Sequence, residues 1–455
     1  MDDTAIDALE RSIDGRLIRP TDLDFDDARR TFNSLIDRRP RVIVRPADPD
    51  DVVAAIRAAN DADLPLGVRG GGHSVAGLAI VDGGLVIDLS DMRTVEVDPG
   101  ARIAHIAGGA QWMDVDAVLH AQGLATPGGV YGDTGVGGLT LGGGIGFLMG
   151  IGGFSCDNLV GAQLVTADGT IVEAAEDPDL LWALRGGGGN FGAVTRFDLA
   201  AYEVGAMYGG KVNVPLDDGA ILRRWASVMR EAPDELLPMV YLMRAPDGTA
   251  SLQLQLAYLG PAGAGAAWAS TLLGHDASEH PSLREGTYLD IQGINPIEAF
   301  GSRNYWTSTF VSDLDDALIK LLVDVSATIP TDQSGILIEP VHGAARRRDM
   351  AHAAFTHRAA RFHVTATATW DDDAFDAEGT AWSRGVTARV RDWSTGGIYV
   401  NYSMPDEQVT TRATDRARAA YPPEVYARLQ AVKRRYDPDN RFRSNLNVPP
   451  GPRAS

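Results

Sequence analysis

Hydrophobic and polar positions change rhythm twice along this chain. Between residues 41 and 99, short β-branched runs (Arg41-Val-Ile-Val-Arg45, Leu66-Gly-Val-Arg69, Gly84-Leu-Val-Ile-Asp-Leu89) flank a stretch from Asp50 to Asn60. There Val52, Val53, Ile56 and Ala59 share one helical face. Asp48 or Asp50 is suited to cap that helix, and the pattern predicts a small α+β lobe. From Arg102 to Phe197 glycine becomes dense. Strands are expected near Ile103–Ile106 and Ala162–Thr166, with Ala167-Asp-Gly-Thr170 as the hairpin turn into Ile171–Glu173, giving a second lobe. Beyond about residue 203 glycine thins out, and alternating strands such as Ser251–Tyr258 and Arg361–Trp370 are separated by helical segments. That alternation predicts an antiparallel sheet with helices behind it. The stretch from Tyr399 to Pro449 reads as a strand and then a helix, Pro423–Tyr436, stopped at Asp437-Pro-Asp-Asn440. The expected class is α+β, divided into 1–202, 203–395 and 396–455, with no internal repeat.

Composition narrows the functional classes. A chain of 455 residues, 44% of them apolar, can bury a full core. No apolar run reaches the roughly 18 to 20 residues of a membrane span, and the first thirty residues do not read as a signal peptide. A net charge of -20 and a pI near 4.8, with no basic stripe, argue against nucleic acid. Cys156 is the only cysteine, which excludes an intrachain disulfide and a cysteine-rich metal site. A soluble cytoplasmic protein is expected, and on composition alone Cys156 reads as a small buried apolar residue.

Two nucleotide-like motifs mislead. Gly187-x-Gly189-x-x-Gly192 matches the dinucleotide fingerprint, but a helical run precedes it and a strand follows it, the reverse of the required order. Gly205-x-x-x-x-Gly210-Lys211 resembles a phosphate loop, yet Val212 stands where a magnesium-binding hydroxyl belongs. Stronger signals are Arg69-Gly-Gly-Gly-His-Ser74 and the run from Gly135 to Gly146. Successive glycines let backbone N–H groups converge on an anion, and neither segment carries the lysine of a triphosphate site. They suit a diphosphate held by backbone; the plainer reading is tight turns between packed strands.

These residues also carry a resemblance. Arg69-Gly-Gly-Gly-His-Ser-Val-Ala-Gly77 resembles the pyrophosphate loop of the vanillyl-alcohol-oxidase superfamily, in its berberine-bridge-enzyme-like branch, whose histidine bonds the flavin 8α-methyl. Phe154-Ser-Cys-Asp-Asn158 resembles the segment whose cysteine bonds flavin C6 in bicovalent members. Asp177 to Gly192, Tyr399-Val-Asn-Tyr402 and Tyr436 to Phe442 match in order, so the resemblance spans nearly the whole chain. It implies a two-lobed PCMH-type FAD-binding domain, a substrate domain, and a C-terminal segment returning to the FAD domain. It also implies FAD joined through an 8α-histidyl bond to His73 and a 6-S-cysteinyl bond to Cys156. By the same match the cofactor meets Arg69, Gly70, Gly71, Gly72, Ser74, Gly77, Thr134, Gly135, Gly137, Gly138, Thr140, Gly142, Gly143, Gly146, Asn158, Val160, Val194, Tyr399 and Asn401.

The resemblance places Tyr402 as the base that takes a proton from a substrate hydroxyl during hydride transfer. A phenol, with a reference pKa of about 10, needs help in that role from a cation or backbone donors. Glu339 and His363 alternate on strands expected to face the substrate and are further catalytic candidates; plant members have a glutamate near the position of His363. Arg303, Tyr305 and Trp306 are candidate substrate contacts, and Thr134 matches the position that controls oxygen access. The expected activity is hydride removal from an alcohol, hemiacetal or related carbon of a bulky substrate, an oligosaccharide or natural product, with dioxygen reoxidising the flavin to give hydrogen peroxide. A dehydrogenase with another acceptor and a non-catalytic flavin-binding protein are the alternatives.

Overall fold

The protein is described by a computed structural model covering residues 1–297, 300–402, 404 and 413–452. Arg16–Ile18, Val42–Arg45, Leu85–Asp88 and Leu66–Arg69 lie side by side in that order, the first pair antiparallel and the others parallel. The helix between the second and fourth of these strands runs Pro49–Asp61 and buries Val52, Ala55, Ile56 and Ala59. Its cap is Asp48, whose carboxylate accepts from the N–H groups of Asp50 at 2.9 Å and Asp51 at 3.1 Å. Pro49 follows at a position where no N–H is needed. The second lobe is a five-stranded antiparallel sheet, in order Val95–Asp98, Ile103–Ala107, Ala193–Ala200, Leu159–Val165 and Ile171–Glu173.

Seven antiparallel strands form the largest sheet: Arg284–Gly286, Met207–Pro215, Ala250–Leu259, Leu236–Arg244, Gly335–Pro340, Phe362–Trp370 and Arg303–Val311. Alternation sorts its side chains. Val240, Leu242, Leu252, Leu254 and Leu256 join a core with the helices Ala220–Met229, Ala262–Leu273 and Asp316–Ser326. Met239, Tyr241, Met243, Gln253 and Gln255, on the opposite face, line a cavity shared with the two smaller lobes.

The C-terminal helix Pro423–Tyr436 packs Leu429 and Val432 with Leu180, Trp182 and Phe191 of the second lobe. Lys433 is fully buried there: its ammonium donates to the carbonyls of Asn190 and Phe442, both at 2.8 Å, and to Asp437 at 2.6 Å. A buried charge persists only when paired and hydrogen-bonded in this way. The strand expected in the segment from Tyr399 is a single helical turn instead, Val400–Tyr402. Its polar groups bond to the glycine-rich segment: Asn401 Nδ2 donates to the Leu139 carbonyl at 3.0 Å, and the Gly144 N–H donates to the Tyr399 hydroxyl at 2.9 Å.

The two small lobes meet backbone to backbone. A Cβ on Gly71 would lie 2.4 Å from the Gly135 nitrogen, and one on Gly135 would lie 2.3 Å from the Gly71 nitrogen. No side chain fits at either position. Gly71→Ala is therefore expected to lower stability by about 1–3 kcal/mol, the range for overpacking. Gly138→Ala, whose Cβ meets nothing within 4 Å, should leave the melting temperature unchanged or raised. Equal thermal melts for the two variants would contradict this account of the contact.

Asp116 gives a pH-dependent term. It is buried between the helices Trp112–His120 and Tyr288–Gln292, and Gln292 Nε2 donates to its Oδ2 at 2.8 Å. Burial raises its pKa from 3.8 to about 7, with the Gln292 hydrogen bond pulling the other way. The folded state thus holds a proton that the unfolded chain releases, so this contribution is present below pH 3.8 and is lost as pH rises through about 7. Asp116→Asn should flatten the fall in melting temperature across that window; an unchanged slope would contradict the assignment.

Candidate functional site

A cavity of about 560 Å³ opens where the two small lobes meet the large sheet. Its inner half is glycine backbone: Gly70, Gly71 and Gly72 from the loop after Leu66–Arg69, and Gly135, Gly137 and Gly138 at the start of the helix Val136–Gly142. First-turn N–H groups lack acceptors within their own helix, and the open space beside Gly138 leaves backbone exposed to the cavity. Gly188, Gly189, Asn445 and Leu446 line the same region. Asn445 is held by its amide, which donates to the carbonyls of Gly189 and Phe442, both at 3.0 Å, while its buried side-chain oxygen has no partner. Backbone donors and missing Cβ atoms fit a dinucleotide diphosphate laid along the seam, while the orphaned Asn445 oxygen, an acceptor, suits a hydroxyl or N–H donor elsewhere on such a ligand.

His73 ends the first glycine loop and lines the cavity. Its ring stacks on Phe32, with centroids 5.3 Å apart, and meets Phe300 edge-on at 5.2 Å. Nε2 lies 3.1 Å from Asp133 Oδ2, off the line a hydrogen bond requires, so neither atom has a hydrogen-bond partner. The imidazole is thereby fixed in orientation while its ring nitrogens are not consumed by the fold. Asp133 and Phe32 were not legible as site residues, because nothing in their own sequence context marks them.

Tyr402 and Trp306 line the outer half, their rings edge-on at 5.7 Å. The Tyr402 hydroxyl donates to Glu339 Oε1 at 3.4 Å, and Glu339 Oε2 lies 2.9 Å from His363 Nδ1. Glu339 and His363 face each other across paired strands and are fully buried. Neither lines the cavity; both stand behind Tyr402. The sequence reading had them facing substrate, but only the tyrosine reaches the open space.

Several residues expected at the cofactor or the substrate stand apart from the cavity lining. Cys156 does not line the cavity; it is fully buried against the backbone of Gly143, whose carbonyl accepts its N–H at 2.8 Å. Burial and the adjacent Asp157 push its thiol pKa well up, against the opposing pull of Arg358 and Arg185, so the reactive thiolate is disfavoured. Asp157 itself is taken up by Arg358, at 2.8 and 2.5 Å. Arg69 donates to the Ala28 carbonyl, outside the cavity lining. Gly77 backs onto Ile36, and Gly146 onto the Gly128 carbonyl. Thr140 pairs with Ser155 at 2.9 Å, and Gly143 and Tyr399 stand behind the lining. Asn158 bonds to the carbonyls of Gly152 and Phe154, and Val160 is exposed on its strand. Arg303 is committed to Asp376 at 2.6 Å, and Tyr305 accepts from Arg384 at 2.9 Å; neither lines the cavity. Ser74, Thr134, Gly142, Val194 and Asn401 do line it, joined by residues the sequence reading missed, among them Tyr131, Lys211, Gln253 and Gln255.

Relatives place this architecture. A family model described as FAD binding domain matches residues 40–175, and one described as berberine and berberine like matches residues 398–449. The (R)-6-hydroxynicotine oxidase of Paenarthrobacter nicotinovorans is 30% identical over 97% of this chain and 98% of its own length. Among solved structures, 6-hydroxy-D-nicotine oxidase from Arthrobacter nicotinovorans superposes with a TM-score of 0.86 at 29% identity, covering 97% of this chain and 99% of that one. BBE-like 1 from Physcomitrella patens, at 23% identity, has the same fold with a TM-score of 0.85 over 99% of both chains. With glycine seam, cavity histidine and returning C-terminal segment all in place, this chain belongs to the berberine-bridge-like family of FAD-linked oxidoreductases.

Proposed function

We propose that the protein is an oxidase that removes a hydride from an alcohol or hemiacetal carbon of a bulky substrate, with FAD attached covalently through His73 alone and dioxygen as the electron acceptor. The observation that carries the reading is the presence of His73 and Tyr402 in one cavity, with Tyr402 backed by the buried Glu339–His363 pair. FAD, when bound, supplies the two-electron acceptor. The chain supplies the rest. The glycine loops would hold the diphosphate, and His73, clamped by Phe32 and beside Asp133, would be the imidazole to which the flavin is joined.

Tyr402 handles the proton. As the substrate hydroxyl gives its proton to the Tyr402 oxygen, Tyr402 passes its own to Glu339 Oε1, and His363 steadies the other carboxylate oxygen. Burial of the pair keeps bulk water from competing for that carboxylate. Thr134 lies on the cavity wall at the position the resemblance links to oxygen access, and its small size is the feature that favours an oxidase over a dehydrogenase. No second bond through Cys156 is proposed, because its sulfur lies outside the cavity.

Acid precipitation followed by peptide mapping tests the attachment. Flavin mass should appear on the His73 peptide only, and Cys156→Ser should remain yellow with the same map; flavin on the Cys156 peptide would overturn this part of the reading. For the chemistry, Tyr402→Phe should slow anaerobic reduction by substrate about 10²- to 10⁴-fold with the flavin content intact. A change within about twofold would remove Tyr402 from the proton path. On readmission of air, peroxide should form in proportion to substrate oxidised; reoxidation only by a quinone would mark a dehydrogenase.

A further inference from the structure

Lysine occurs only three times in this chain, at Lys211, Lys320 and Lys433. Lys320 is exposed and pairs with Asp324, and Lys433 is the buried clip of the C-terminal helix. Lys211 lies on Met207–Pro215, on the sheet face that lines the cavity. Burial alone lowers its pKa; no carboxylate acts on it in the opposite direction. No hydrogen bond or ion pair joins its ammonium to any described residue. In a protein of net charge -20, no aspartate, glutamate or arginine lines this cavity among the described residues, and Lys211 is the one lysine on its wall.

A second observation concerns the amides beside it. Lys211 pairs across the strands with Gln255. Asn295 Nδ2 donates to Gln255 Oε1 at 3.2 Å, Gln255 Nε2 donates to Gln253 Oε1 at 3.1 Å, and Gln253 Nε2 donates to Asn213 Oδ1 at 3.0 Å. The chain of bonds runs in one direction. Each glutamine oxygen already accepts an N–H, while Gln255 keeps its second N–H. The corner therefore presents an ammonium and an amide N–H donor beside glutamine oxygens that each accept one bond within the chain. A cation with no protein counter-charge beside it is complemented by a ligand that brings an anionic acceptor.

We propose that Lys211 and Gln255 form an anion-recognising corner of the substrate cavity, which binds a carboxylate or comparable anionic oxygen group carried by the substrate away from the carbon being oxidised. The proposal rests on the reading of this cavity as a flavin oxidase site. It assigns the substrate a negative charge, although the acidic surface of the protein disfavours anions at long range; beyond a screening length of about 8 Å that surface has little effect on a pocket.

The test uses purified flavin-loaded protein titrated with 2-naphthoate, neutral 2-naphthamide and cationic 2-naphthylmethylamine, followed by calorimetry and by the flavin visible spectrum. Naphthoate should bind most tightly. Lys211→Met should weaken naphthoate about ten- to a hundredfold, the value of a hydrogen bond to a charged group, and leave naphthamide within about twofold. Lys211→Arg should retain most of the naphthoate affinity. Absence of naphthoate binding, equal binding of acid and amide, preference for the amine, or equal weakening of acid and amide in Lys211→Met would each overturn the proposal. Calorimetry reports binding independently of the flavin spectrum, so a colourless protein would count against the oxidase reading and not against the corner.

Discussion

The seam between Gly71 and Gly135 is the contact on which the site depends. Each glycine approaches the other's backbone nitrogen so closely that a single added carbon would clash. Two lobes with different sheets are thus held at main-chain distance, and glycine backbone from both lines one cavity. The same seam fixes His73, two residues beyond Gly71, opposite Asp133, two residues before Gly135. A dinucleotide laid along the glycines would have its reactive ring delivered to the outer half of the cavity, where Tyr402 stands.

The outer half follows from strand alternation. Val240 and Leu242 are buried against helices while Met239, Tyr241 and Met243 face the cavity, and the neighbouring strand repeats the division with Leu254 and Gln255. One sheet therefore supplies both a core and a recognition wall. Glu339 and His363 lie further along the same sheet, covered by Tyr399 and Tyr402 of the C-terminal segment, which explains how a carboxylate and an imidazole come to be fully buried beside the cavity without lining it. Lys433 and its three acceptors anchor that segment to Asn190 and Phe442.

Much of this was legible in the sequence. The Pro49–Asp61 and Pro423–Tyr436 helices, the hairpin into Ile171–Glu173 and the alternating strands carry their own caps, turns and periods. The glycine loops were legible because few residue types permit such backbone, and His73 because it ends one of them. Cys156 misled, since a motif gives a residue's place along the chain and not the direction of its side chain; the neighbouring Asp157–Arg358 pair and the Gly143 carbonyl turn it into the core. Arg69 and Arg303 misled likewise, their partners Ala28 and Asp376 being distant in sequence. Lys211 was within reach: it shares the alternation of a strand whose neighbours were read correctly, and a lysine among so few is a signal in itself.

The most direct measurement is a crystal structure of the yellow holoprotein. Diphosphate density is expected against Gly70–Gly72 and Gly135–Gly138, with continuous density from the His73 imidazole to the flavin ring and the Tyr402 hydroxyl on the substrate side of that ring. A diphosphate bound elsewhere, or a ring bonded to the Cys156 sulfur, would contradict this arrangement.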